Sequence, residues 1–311
     1  MKNQLKKISF NHSFIFFLFC NIFSLTILKF ENLIFSSLFC LLLILTIGVS
    51  HGSLDHVKGK KLLKIFEIKN IYIFYLIYIF TALTIIVLLT IIPSVSFTIF
   101  LIVASFHFGK EDTQFLIAEN SYYNQLLFFL KGSLIILAPM FFHFEETISI
   151  FKLLLVDNES FYRTLDFIEM NNLILFGIIL STLSSILLFT KEFELKKFTI
   201  FLDYFSILII NYYFSPLVAF TIYFCYLHST RHGITLMHEL DENDLKNGLK
   251  IFIKKALPLT ILTAIFCLLG LYLLNNSYNF DSSILKVIFI GLASLTFPHI
   301  LLEYLIEKNE K

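Results

Sequence analysis

Along the 311-residue chain, long apolar runs alternate with short polar breaks. Most runs approach the roughly 20 residues that carry an α-helix across a bilayer. They fall at about 9–28, 33–51, 71–92, 95–108, 122–142, 172–190, 198–214, 216–236, 256–274 and 283–303, with ends good to about 2–4 residues. Two are marginal: 95–108 is short, and 198–214 carries Asp203. The first run resembles a secretory signal in position, but it is too long and no small-residue cleavage site follows, so it is expected to stay. In the loop 143–171, Ile148–Val156 is expected to form a short interfacial helix. The pattern predicts an all-α fold, a polytopic transmembrane bundle of about eight to ten spanning helices. One integral-membrane domain covers 1–311.

Composition points the same way. The chain is 57% hydrophobic and 15% charged, against about 45–50% and about 25% in soluble domains. No solvated surface can be built from that mixture. A net charge of +1 gives no sign of nucleic-acid binding. Cys20, Cys40, Cys225 and Cys267 lie in apolar segments without CxxC spacing, so they are expected to be small buried hydrophobes.

Charge is nevertheless segregated. With the N-terminus inside, the cytoplasmic side of a ten-helix chain receives Lys2, Lys6, Lys7, the Lys58–Lys69 cluster, Lys110, Lys191, Lys196, Lys197, Arg231, the lysines from 246 to 255, Lys308 and Lys311. The other face keeps Lys29, Lys152 and Arg163, while Lys131 and Lys286 fall within helices. Cytoplasmic loops carry such an excess. The chain is therefore expected in the cell membrane with both termini cytoplasmic, and a miscount by two helices would preserve that orientation.

The histidines gather at one depth. His51 ends the second run in GVSHGSLDH, with Asp55 and His56 just beyond it. His107 ends the fourth in SFHFGKED, and His228 and His232 end the eighth in LHSTRHG. His299 lies toward the end of the tenth in TFPHILLEY. All these ends face the cytoplasm in the ten-helix parse. His228 and His232 are four apart, on one face of a helix, and can close on one metal ion. The plain alternative is that they and Arg231 anchor a helix end at the headgroups. Scattered anchors would use both membrane faces, so the shared depth favours a metal.

Imidazoles suit zinc, copper, iron and nickel alike. Asp55, Glu111 and Asp112 are candidates to hold the far ring nitrogens, although ordinary loop solvation is the expectation for Glu111 and Asp112. Gly52 and Gly109 each follow a motif histidine and suit a sharp turn, a close approach to a ligand, or a helix stop. Pro298 is expected to bend the last helix near the site. His12, His143 and His238 are expected at the interface or in solvent. No HExxH, phosphate loop, GxSxG or dinucleotide-binding glycine pattern occurs.

Together the four blocks resemble, in order, the signature blocks of the Brp/Blh family of β-carotene 15,15′-dioxygenases, polytopic membrane proteins that supply retinal to microbial rhodopsins. They span residues 48–304. The resemblance implies a non-haem Fe(2+) centre and molecular oxygen as co-substrate. It implies cleavage of membrane-dissolved β-carotene at its central double bond into two all-trans-retinals, with a retinal-binding rhodopsin as functional partner. It further implies that His51, His107, His228 and His232 are the iron ligands. His56 and His299 match motif positions without being carried over as ligands, and with Asp55 they stand as groups behind the ligands. Where the family commonly has Pro before the first motif histidine this chain has Ser50, and Phe106 replaces a Trp before the second. Neither change removes a ligand, and both bear on how a polyene packs. The rival classes are a two-iron membrane hydroxylase or desaturase, which needs more clustered histidines, and a non-catalytic haem or metal carrier.

Overall fold

In lipid the backbone has no water to bond, so each apolar run must satisfy its own N–H and C=O groups as helix. A computed structural model describes residues 2–29, 36–50, 52–117, 121–154, 158–191 and 194–309, and no strand occurs among them. The chain runs through α1 (Lys2–Lys29), α2 (Ser37–Leu43), α3 (Asp55–Ile65), α4 (Tyr72–Ile91) and α5 (Pro93–Glu111). It continues with α6 (Tyr122–Gly132), α7 (Leu134–Phe142), α8 (Phe144–Leu153), α9 (Glu159–Met170) and α10 (Leu173–Thr190). The last third holds α11 (Thr199–Tyr213), α12 (Pro216–Ile222), α13 (Thr230–Leu240), α14 (Leu245–Leu274) and α15 (Phe280–Asn309).

Among the described residues, 8 helical segments are long and apolar enough to cross a membrane, as expected of a membrane protein. The ten-helix parse is corrected at two runs. Helix α11 has 15 residues, about 22 Å at 1.5 Å per residue, short of a hydrocarbon core of about 30 Å. The run 216–236 becomes α12 and α13 joined by a π-helical segment, Tyr223–Ser229, and its second half is polar. Both pieces lie inside the bundle, with Ile210, Ala219, Tyr223 and Leu227 buried. By contrast, α4 and α14 lie on the outside and present Leu76, Phe80, Phe266 and Leu269 to lipid. Helix α15 passes through the centre and buries Ile284, Ile288 and Leu302.

The expected interfacial helix starts earlier than Ile148. Helix α8 buries Phe144, Thr147, Ile148, Ile150 and Phe151 and packs on α7 and α15, because its apolar residues repeat at helical spacing. Val156, its expected end, lies outside the described residues.

Two features fix the interior. Helices α5 and α6 meet at Gly109 and Gly132. A Cβ on Gly109 would stand 1.8 Å from the Phe128 carbonyl oxygen, and one on Gly132 would stand 1.9 Å from that of Ser105. Gly109 is therefore neither a turn nor a helix stop: it lies within α5 and lets a neighbouring backbone approach. Asp203, which made its run look insecure, is buried on α11. It receives both Arg231 Nη atoms at 2.7 and 2.9 Å, while Arg231 also donates to Ser13 Oγ at 2.6 Å. Arg231 is thus an internal tie between α1, α11 and α13, and the headgroup-anchor alternative does not hold for it.

Candidate metal centre

Short irregularities in the helices aim the histidines inward. The π-helical segment Tyr223–Ser229 widens the turn that carries His228, and a second π segment, Ile44–Gly48, precedes residue 51. Such bulges re-aim side chains without ending the helix. His51 itself lies outside the described residues. Gly52 opens a 3-10 turn, Gly52–Leu54, that leads into α3. Helix α15 runs on through Pro298, placing His299 one residue later on a buried face.

Four imidazoles from three separate stretches come together. Ring centroids are 5.4 Å apart for His107 and His228, 5.4 Å for His107 and His299, and 5.9 Å for His232 and His299. All four residues are buried. One ligand atom from each of His232, His299 and Glu303 lies within 4.8 Å of the others, close enough to share one ion.

Behind these rings stands a repeated arrangement. His228 Nδ1 bonds Asp112 Oδ1 at 3.1 Å, and Tyr223 Oη donates to the other oxygen at 2.7 Å. His232 Nδ1 bonds Glu111 Oε2 at 3.1 Å, and Gln114 Nε2 donates to Oε1 at 2.8 Å. His299 Nδ1 bonds both Asp55 oxygens at 2.9 Å, and Tyr78 Oη donates to Oδ2 at 2.8 Å. An ionised carboxylate only accepts, so each Nδ1 carries the proton and Nε2 is the nitrogen that can ligate. This carboxylate–histidine pairing orients imidazoles for a metal and raises their basicity.

The residues present suit a divalent metal: three Nδ1 atoms are taken by carboxylates, which leaves Nε2 as the donor of each ring. Asp55 and Asp112 are buried and Glu111 nearly so, and Arg231 Nη1 stands 3.9 Å from Asp112 Oδ1, so the carboxylates are balanced in part by the protein's own cations. A divalent ion held at the Nε2 edges would add to that charge, and the imidazole donor set suits a first-row metal.

The expectation of loop solvation for Glu111 and Asp112 is corrected. Both are carried inward by the last turn of α5, and Asp112 is 4% exposed. His56 lines the same cavity as His107, but its Nδ1 bonds Ser53 O at 2.9 Å. His12 Nε2 meets the Tyr226 carbonyl at 2.8 Å, inside the π segment. His143 is partly buried at the start of α8. His238 is buried on α13, not in solvent. Sequence reasoning did not single out Tyr78, Gln114, Tyr223 or Glu303. Tyr78 and Tyr223 reach carboxylates 23 and 111 residues away, so spacing carried no signal for them. Gln114 follows Glu111 by three residues and Glu303 follows His299 by four, a same-face helical spacing within reach of the sequence.

The fold and the site define a polytopic membrane protein with a buried, carboxylate-backed histidine cluster. A family model described as "Beta-carotene 15,15′-dioxygenase" matches residues 42–307, and the chain belongs to that family. It is also similar to a protein of the same name from uncultured marine bacterium 66A03, with 27% identity over 84% of this chain and 90% of the relative. No solved structure matches the chain.

Proposed function

We propose that the protein cleaves β-carotene at the central 15,15′ double bond and yields two molecules of all-trans-retinal. The observation that carries the reading is the convergence of His107, His228, His232 and His299, three of them backed by a carboxylate, in a chain of this family. The ligand set proposed for Fe(2+) is His107, His228 and His232, with His51 carried over from the family pattern. His299 is added to it because Asp55 backs it as Asp112 backs His228. When bound, the iron supplies the activation of molecular oxygen. Both oxygen atoms end in the two aldehydes, one on each carbon of the broken double bond.

The chain's own residues bind and shelter the substrate. A cavity of about 260 Å³ is lined by His107, His228 and His299 together with Tyr75, Leu262 and Phe266. Residues from α4 and α14, the lipid-facing helices, form part of that lining, so a bilayer-dissolved polyene has a sideways approach. The apolar walls keep water from the reacting carbons. The retinal is proposed to serve a retinal-binding rhodopsin.

The Nδ1 partners should matter without being ligands. Asp112→Asn, Glu111→Gln and Asp55→Asn are each expected to lower iron affinity or turnover by about 10–100-fold, read by metal analysis and retinal yield. Wild-type iron content and rate in all three would remove the positioning role.

Topology follows the basic residues. Both termini and the histidine cluster are proposed on the cytoplasmic side of the cell membrane. Cysteines placed at Lys61 and Glu146, both exposed, in a background without native thiols, should label from opposite sides. Labelling from the same side would contradict the orientation.

The test of the function is carotene loss matched to retinal gain in cells that accumulate β-carotene. A hydroxylase or desaturase would leave the carbon skeleton whole, and a haem or metal carrier would leave the carotene unchanged.

A further inference from the structure

A second cavity, of about 100 Å³, lies behind the first. Phe108, Phe224, Leu292 and Thr296 line both. This shared lining sits against the metal site, with ring centroids of Phe108 and Phe224 at 4.7 and 5.9 Å from that of His228. Phe224 stacks on Phe220 at 5.4 Å, which carries the aromatic surface on into the second chamber.

That chamber is enclosed by α5, α7, α8, α12 and α15, through residues such as Ala104, Ile135, Ile150 and Phe289. No charged or ionisable side chain lines it. The Thr147 hydroxyl on its wall already donates to the His143 carbonyl at 2.8 Å. A polar ligand would lose its hydration there without recompense, whereas a hydrocarbon would not.

We propose that this second chamber is the binding site for one half of the polyene, with Phe108 and Phe224 as the partition that the chain passes. The inference rests on the central-cleavage reading above. A cut beside His228 at the midpoint of a symmetric substrate leaves equal halves on either side, and the two cavities lie on either side of the rings that flank His228. The second chamber is the smaller, so it sets the limit on the end group admitted.

The test compares β-carotene with an apocarotenal that keeps one ring-bearing half intact and is shortened on the other. Ala104→Leu fills the second chamber from α5, and Ile135→Phe fills it from α7. Each should lower the ratio of β-carotene turnover to apocarotenal turnover by about ten-fold or more, as added methylenes do in apolar pockets. Phe151→Leu, which enlarges the chamber, should not lower that ratio. Iron content and membrane level identify the variants that fold, and two filling variants on different helices guard against the loss of one. An unchanged ratio in a folded, iron-loaded filling variant overturns the chamber assignment while central cleavage stands. A wild-type protein that leaves β-carotene intact defeats the cleavage reading, and the chamber assignment falls with it.

Discussion

Changing His228 and His232 together to alanine is expected to abolish retinal formation and to strip the protein of iron. Loss of a single partner behind a metal ligand costs about 10–100-fold, so removing two ligating rings should exceed about 100-fold. The two residues lie on the inner face where the π segment meets α13, and each ring is held by a carboxylate from the end of α5. Alanine keeps the helix and removes the donor. His299→Ala should behave in the same way, since its ring stands as close to His107 as that of His228 does. His143→Ala, at the start of α8 and outside the cluster, should stay near wild type. Metal analysis and retinal yield on the same preparations check this. Full iron content in the double variant would remove the site from the account.

The second large effect is expected at the crossing of α5 and α6. Gly109→Ala places a methyl group 1.8 Å from the Phe128 carbonyl oxygen and 2.8 Å from the Gly132 nitrogen. Backbone on both sides cannot rotate away as a side chain can, so the helices must separate. Overpacking typically costs about 1–3 kcal/mol, occasionally more, and a backbone clash belongs at or beyond the upper end. Helix α5 carries His107, Glu111 leads into Asp112 at its end, and Lys110 pairs with Glu307 at 2.6 Å. Separating the helices should therefore disturb ligand and partners together. The expected result is poor accumulation of folded protein in detergent and low iron in what remains; Gly132→Ala should do the same. A well-folded Gly109→Ala protein with normal turnover would contradict the close approach.

Much of this was legible in the sequence because hydrophobic runs report depth. The helical character of the predicted runs and the meeting of His107, His228, His232 and His299 follow from where each run ends. Depth, however, says nothing about which way a residue faces around its helix. Glu111 and Asp112 looked like solvated loop residues, yet the final turn of α5 faces them into the bundle. Asp203 looked like a weak point in a span, and its partner Arg231 lies 28 residues away. Tyr223 reaches Asp112 across 111 residues of chain, a relation that no local spacing encodes. The two runs wrongly counted as spans failed for a related reason: their apolar residues are buried against protein, and apolar content alone does not separate that from burial in lipid.

The most direct measurement is the fate of β-carotene in bacterial cells that accumulate it and express this chain. The account predicts oxygen-dependent bleaching, with two all-trans-retinals formed for each carotene lost and no unequal apocarotenals. Cells that keep their orange colour while the membrane holds well-expressed, iron-loaded protein would contradict it.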